Sequence, residues 1–463
     1  MRSNGRTVAD FYTAIIPGIA ATADTRRLKG SFFLAPEFRF YATQGSQNQV
    51  YNNLNTSGEL TVLEDLLFID ARGYANTQSR QGGFGPAGTV SLSRQDQVQT
   101  QSYTIGPALR RRFGDIGRAE LGYSYTHTSI DGASGNGGSG QIASPFAGAF
   151  GNQALDTTEA RASFATGEAF GRYNAVLEVK YSDSTGTGVT RTSHRYSQIA
   201  DLGYAVTRNF KLIGALGHED IYYKGFTTYR NEGVVYTGGV QYTPEPDTSL
   251  SLLYGHRDGS TGLSFDGNYA ATARTRLNLR YSSGVGSEQE DLQNTLASST
   301  TSGSGVPIDS RTGAPLSANN NFFGTLGNVY RTERLSASAT VLMDRNVVTL
   351  TLRRDDRTLL SQGAAAPNGA APANRQTGTY GSIAFQRDLS DALTATLFLQ
   401  YGVRNTAGTG DQDSITASTS LAYQLSPTLT ARAQYSYNSG DSSGFTQQTK
   451  AQNLLLLSLR KSF

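Results

Sequence analysis

The sequence contains no cysteine and no tryptophan, only 12 prolines in 463 residues, and no apolar run of the roughly 18 residues that a membrane-crossing helix requires. No helix of this chain is therefore expected to cross a membrane. The lack of cysteine suits an envelope protein that avoids the thiol chemistry of an oxidising compartment. Excess charge of either sign is also missing, since 40 basic residues face 37 acidic ones for a net +3, which leaves no electrostatic footprint for nucleic acid. Aliphatic content is low. Hydrophobic residues make up 37% and mean hydropathy is −0.39, too little for the two or three cores that a soluble chain of this length would bury. Against disorder stand 25 tyrosines, 21 phenylalanines and the scarcity of proline. A large transmembrane β-barrel reconciles these facts, because it needs one apolar skin and fills its interior with polar side chains and water.

The patterning agrees. In Leu429–Asn438, Leu429, Ala431, Ala433, Tyr435 and Tyr437 share one face, opposed by Thr430, Arg432, Gln434 and Ser436. Leu393, Ala395, Leu397, Leu399, Tyr401 and Val403 repeat the pattern, as do Leu277, Leu279 and Tyr281 against Arg276, Asn278 and Arg280. A soluble sandwich also alternates, but its strands are usually about five or six residues long, and these are two to three times that length. Short polar turns are expected at Ala23–Arg27, Leu63–Leu66, Phe113–Gly117, Gly167–Gly171, Thr207–Asn209, Pro244–Asp247, Ala273–Thr275, Asp344–Asn346, Asp388–Asp391 and Ser426–Thr428. Between them lie longer connections, notably Gln78–Gln97, Asp131–Gln153, Gly286–Tyr330 and Ser361–Arg375. Alternating short and long connections mark periplasmic turns and outer loops. The expectation is all-β: a single antiparallel barrel over residues 1–463 with about twenty-one strands, in the bacterial outer membrane.

The two ends refine this reading. The chain closes on QNLLLLSLRKSF, where Leu455, Leu457, Leu459 and the final Phe463 define an oily face. This stretch resembles the terminal strand by which the barrel insertion machinery recognises outer-membrane proteins, with Lys461 departing from the pattern. At the other end, Arg2, Arg6 and an alanine-rich stretch suggest a signal peptide, but Asp10 and Pro17 interrupt its apolar core. A strand from about Phe11 to Thr22 is the better reading. With Phe463 at the periplasmic rim, backward counting starts the first visible strand on the outer side. The usual even count and periplasmic N-terminus then predict one further strand upstream of Met1, for twenty-two, with Asn4 in the first outer loop.

Several phrases carry a family resemblance: TRRLKGSF at Thr25–Phe32, LEDLLFIDARGY at Leu63–Tyr74, ALRRRFGDIGRAELGYSY at Ala108–Tyr125, SLSLLYGHRDGSTGLSFDGNY at Ser249–Tyr269, and DSRTGAPLS at Asp309–Ser317. On these the chain resembles the PEP-CTERM system-associated outer-membrane proteins. The resemblance implies a role beside exosortase and exopolysaccharide functions, in export of surface polysaccharide or related envelope material, and it transfers no catalytic residue.

No enzyme constellation is visible. His127, His194, His218 and His256 are scattered over different strands without metal-ligand spacing, and the glycine-rich Gly132–Gly140 lacks the lysine and helix of a phosphate loop. No cofactor, metal site or enzymatic activity is expected. Strand parity turns Arg110, Arg112, Arg118, Arg172, Lys180, Arg276, Arg280, Arg334, Arg353, Arg404, Arg432 and Arg460 to the lumen, with Glu120, Glu178, Asp266 and Asp355 as acidic counterparts. Two readings remain open: cross-strand ion pairs that hold register, or an excess-positive pore for anionic solutes. The connection Gly286–Tyr330 exceeds ordinary loop length and is expected to fold into the pore as a constriction, with Asn319–Phe323 as its packed part. The leading functional expectation is a non-enzymatic export pore, and the alternative is a plugged structural or adhesion barrel. Partners would be outer-membrane lipid and lipopolysaccharide, the insertion machinery and polysaccharide or envelope export proteins.

Overall fold

The computed structural model describes residues 2–3, 6–7, 9–79, 97–132, 153–187, 191–297, 299–301, 307–309, 328–362, 374–406, 410–442 and 448–462. Twenty-one strands, antiparallel from each to the next along the chain, lie in one closed ring. The ring begins with β1 (Ile19–Asp24), β2 (Leu28–Leu34), β3 (Leu54–Leu63), β4 (Leu67–Ser79), β5 (Gln97–Arg112), β6 (Gly117–Gly132) and β7 (Gln153–Thr166). It continues through β8 (Tyr173–Gly186), β9 (Ser193–Ala205), β10 (Phe210–Tyr223), β11 (Tyr229–Tyr242), β12 (Ser249–Arg257), β13 (Ser260–Thr272) and β14 (Thr275–Ser287). After a helix, α1 (Glu288–Ala297), come β15 (Val329–Met343), β16 (Asn346–Ser361), β17 (Arg375–Ser390), β18 (Leu393–Thr406), β19 (Gly410–Ser426), β20 (Leu429–Ser442) and β21 (Gln448–Lys461). All ten expected short turns fall between consecutive strands at one end of the barrel, the periplasmic end by length.

Alternation sets the faces. Leu109 lies opposite Leu121 and Arg110 opposite Glu120 across β5–β6, and the same alternation runs through Leu352 opposite Gly381 and Arg353 opposite Tyr380 across β16–β17. Large apolar side chains such as Leu121, Leu212, Leu279, Leu352, Leu399 and Leu421 stay exposed. They form the outer skin, which only hydrocarbon can cover at acceptable cost, while the strands' backbone groups are met by neighbours except beside the short β12–β13 hairpin, where Tyr229–Val235 and Ser282–Ser287 pair on one side only. Aromatic pairs mark its lower edge: Tyr173 and Tyr204 lie 4.9 Å apart, Phe210 and Tyr242 4.8 Å. At the upper edge tyrosine hydroxyls donate to polar groups on the same outer face: Tyr281 to Glu333 (3.2 Å), Tyr401 to Asp413 (3.1 Å) and Tyr435 to Asn453 (2.7 Å). Between Tyr173 and Tyr181 the strand rises about 26 Å, or about 20 Å along the axis at ordinary barrel tilt. That height suits a thin outer membrane.

The first hairpin is longer than β1 and β2 suggest. Tyr12–Ile15 pairs with Glu37–Tyr41 on the same register that joins Ile19–Asp24 to Leu28–Leu34. The ladder is interrupted only at Pro17 and Pro36, which cannot donate a hydrogen bond. A strand beginning near Phe11 is thus observed, running from the outer side to the first turn; Met1, Asn4 and Phe463 lie outside the described residues. With an odd count, β1 and β21 run in the same direction where the ring closes. Leu455, Leu457 and Leu459 are 70%, 74% and 72% exposed there, against 39–54% for Leu277, Leu279 and Leu121. The closure therefore covers β21 less than the rest of the wall covers its strands.

Two further features shape the barrel. The β12–β13 hairpin turns on two residues, Asp258 (φ 53°) and Gly259 (φ 66°), the left-handed pair that a two-residue hairpin needs. Its tip is held by Arg195, which pairs with Asp258, and by Arg331, whose guanidinium donates to the Gly259 carbonyl at 3.0 Å. Above it, Ile221, Tyr223, Val285 and Val329 close a small buried core. Farther round, between β13 and β19, the lipid-facing wall is concave, with a groove of ≈ 1040 Å³ over Leu277, Leu279, Ala337, Ala339, Leu352 and Gly381.

Candidate functional site: the lumen wall and the helix that crosses it

Most of the sequence-predicted cations lie on the face opposite the apolar skin, and ion pairs take up many of them. Arg110 contacts Glu59 on β3, Asp70 on β4 (2.7 Å) and Glu120 on β6 (3.6 Å). Lys180 meets Glu159 at 2.8 Å, and Arg280 meets Asp266 at 3.2 Å. Asp355, 2% exposed, joins Arg353 (2.7 Å) to Arg334 (3.1 Å). Arg404 donates to Gln412 and Arg432 to Ser420. Arg172 differs from expectation. A 3₁₀ turn at Glu168–Phe170 lengthens the connection, leaving Arg172 exposed in the turn before β8 instead of on the wall.

A second population is left without carboxylates. Arg112, Arg118, Lys211, Arg276, Arg432 and Arg460 have lumen parity and sit near the turn ends of β5, β6, β10, β14, β20 and β21. Among the described residues none of them has a carboxylate within ion-pair distance. They form a cationic belt at the inner mouth, while Lys180, Arg280, Arg334 and Arg353, which are ion-paired, stand higher in the barrel and Arg110 is paired close to its turn. Cross-strand ion pairs of the kind the first reading expects are thus present on the wall. Of the closing-strand residues, Leu457 and Leu459 face outward.

The helix α1 was not foreseen, although its start carries a readable signal. Ser287–Glu290 is a capping box: the Glu290 amide donates to Ser287 Oγ at 3.3 Å, and the Ser287 amide donates to Glu290 Oε2 at 2.8 Å. Its sequence, EQEDLQNTLA, is polar nearly all round, as a helix in a wet lumen requires. From the top of β14 it is tethered on several sides. Tyr223 of β10 donates to Glu290 at 2.7 Å, and Arg334 of β15 reaches Asp291 at 3.4 Å. Gln293 donates to Thr128 of β6 at 3.0 Å, and Arg72 of β4 donates to the Leu296 carbonyl at 2.9 Å.

The reach of these contacts fixes the shape of the lumen. β14 and β4 are ten strands apart in a ring of 21, so they face each other across it. A circular ring of that size would be about 40 Å across, but a ten-residue helix is about 15 Å long. Even with extended side chains the span fits only if the barrel is flattened at this level, in keeping with the concave outer wall. Of the expected constriction Gly286–Tyr330, the described part is α1 with Ser299–Thr301 and Pro307–Asp309, and Asn319–Phe323 lies outside the described residues.

The wall so described is that of an outer-membrane β-barrel. No family model matches the chain, and no curated protein matches it in sequence. Solved structures do match in fold. A mutant of the ferric enterobactin receptor of Pseudomonas aeruginosa in complex with enterobactin is 12% identical over 95% of this chain and 74% of that one, with TM-score 0.51. The ferric-catecholate import receptor Fiu of Escherichia coli is 10% identical over 98% and 80%, TM-score 0.51. A chain of an FpvAI–pyocin S2 complex is 12% identical over 98% and 68%, TM-score 0.51. The fold and the outer-membrane location follow. These neighbours are transport receptors, not enzymes and not exporters. The expected role in polysaccharide export is corrected accordingly, and a lumen bridged by α1 is no open bore for a polymer. The alternative of a plugged structural or adhesion barrel is corrected on the same comparison, since the solved structures that share the fold include a ferric enterobactin receptor and a ferric-catecholate import receptor.

Proposed function

We propose that the protein takes up a small anionic ligand across the outer membrane, with α1 as the gate and the cationic belt as the inner attractor. The observation that carries this reading is the helix itself, held across a flattened lumen by separate polar contacts to opposite walls. Such contacts, in a wet interior, are each worth about 0.5–3 kcal/mol, so the bridge is breakable, unlike a packed plug. The fold's solved examples, which include a receptor with bound enterobactin and an import receptor for ferric catecholates, support uptake of a ligand. Arg112, Arg118, Arg276 and Arg460, without a carboxylate at ion-pair distance among the described residues, favour a negatively charged one. The resemblance to PEP-CTERM system-associated proteins enters this proposal as lineage only. Lipopolysaccharide and the insertion machinery, reached through Leu457 and Leu459, are its envelope partners.

Deletion of Glu288–Ala297 with a short glycine-serine bridge tests the gate. In proteoliposomes the deletion should admit small anionic sugars faster than cationic ones of equal size, while the intact barrel admits both slowly. Equal, slow entry before and after deletion would refute the proposal.

A further inference from the structure

The concave stretch of the outer wall is unusual because hydrocarbon must fill it. Its floor is made of small residues in two troughs that flank Leu350 and Leu352: Ala337 and Ala339 on β15, between Leu279 and Leu352, and Gly381 on β17, between Leu352 and Tyr401. The groove lies within the apolar skin and opens upward to the outer interface, where Tyr281 and Tyr401 stand.

The residues immediately above it are charged, and their pairing is uneven. Arg354 on β16 shares the outward face with Leu352 and lies opposite Leu335 and Thr379. The neighbouring carboxylates are all engaged: Asp356 by Arg375 (2.9 Å through Nε), Glu333 by the Tyr281 hydroxyl, Asp413 by the Tyr401 hydroxyl and Asp411 by Asn405 (2.7 Å). Arg354, exposed, has no partner among the described residues. A free guanidinium at headgroup height, directly over an apolar groove, matches a ligand with a phosphate above and several acyl chains below. Arginine's planar fork suits a phosphate by bidentate hydrogen bonding.

We infer that this groove is a binding site for one phosphorylated, multiply acylated glycolipid of the outer leaflet, a lipid A moiety. Its chains lie over Ala337, Ala339 and Gly381, and a phosphate is held by Arg354. The inference is independent of what passes through the lumen.

The test uses the full barrel, purified in detergent and titrated with bisphosphorylated hexa-acyl lipid A, its dephosphorylated form and phosphatidylglycerol, with native mass spectrometry as readout. One bisphosphorylated lipid A should be retained per barrel at least tenfold more strongly than either competitor. Arg354→Gln should remove that preference. Gly381→Leu should lower retention of both forms of lipid A, because a Cβ at 381 meets nothing closer than the Thr351 carbonyl at 3.8 Å, so the leucine would occupy the groove without moving the wall. Heat-modifiable gel mobility would verify that both variants fold. Equal retention of all three lipids, unchanged binding in both folded variants, or a mass showing a second copy of the chain in place of lipid would each overturn the assignment.

Discussion

Releasing the far end of α1 is the most direct way to separate a gate from a fixed strut. Two side chains tie that end to the wall: Arg72 donates to the Leu296 carbonyl, a hydrogen bond from a charged donor, and Gln293 makes neutral ones, donating to Thr128 and accepting from Thr157 at 3.5 Å. Arg72 is exposed to the lumen, so the low end of the usual range applies, about 1 kcal/mol for each of the two side chains. Loss of both is then worth about 2 kcal/mol, and at 1.4 kcal/mol per factor of ten the population of the unbridged state should rise about 30-fold. Each single substitution, Arg72→Ala or Gln293→Ala, should raise it about fivefold. The capping box and the tethers from Tyr223 and Arg334 remain, so the near end stays anchored to β14 and the helix can swing without unravelling. Planar-bilayer recording measures the effect as time spent in the conducting state. If the doubly substituted barrel, shown to be folded by heat-modifiable mobility, conducts no more often than the unaltered one, α1 is not a gate.

Other consequences are as concrete. Replacing Arg118, Arg276 and Arg432 together with glutamate should invert the sign of the inner mouth and move the reversal potential of the helix-deleted barrel toward cations in a salt gradient; no movement would remove the belt from the mechanism. Asp355→Asn should strand Arg353, which is 5% exposed, in a low-dielectric setting and destabilise the barrel by about 3–5 kcal/mol, seen as earlier unfolding in urea. Gly259→Val should disturb the β12–β13 tip, since a Cβ there would lie 2.6 Å from Asn231 Oδ1 and φ is +66°; a protease-resistant, unchanged tip would contradict that reading.

How much of this was legible beforehand depends on the range over which each feature is set. The strands and the ten inner turns rest on local facts, two-residue periodicity and turn residues such as Phe113–Gly117 and Asp344–Asn346, and they were readable. Lumen parity follows from the same period, so Arg110, Lys180, Arg280, Arg334 and Arg353 could be assigned to one face from the sequence. Arg172 could not, because parity loses meaning once a 3₁₀ turn intervenes. The capping box that starts α1 was present as Ser287-Glu288-Gln289-Glu290, but its weak apolar pattern hid the helix within a loop. Flattening of the ring depends on which residues meet across it, such as Arg72 and Leu296, 224 positions apart, and no local pattern encodes that. The export role came from family association, not from any side chain, and it is the part that failed.

The meeting of β21 with β1 has a mechanical consequence. Twenty joints of the hoop are antiparallel ladders, but the remaining one brings together two strands running the same way, a slightly weaker geometry, and leaves three leucines more than two-thirds bare. A hoop under tension parts at its weakest joint. Stress on this barrel, whether heat, lateral pressure of the bilayer or insertion itself, should therefore concentrate at one meridian, and amide exchange should begin along β21 and spread from there. β21 would be the first strand to let go.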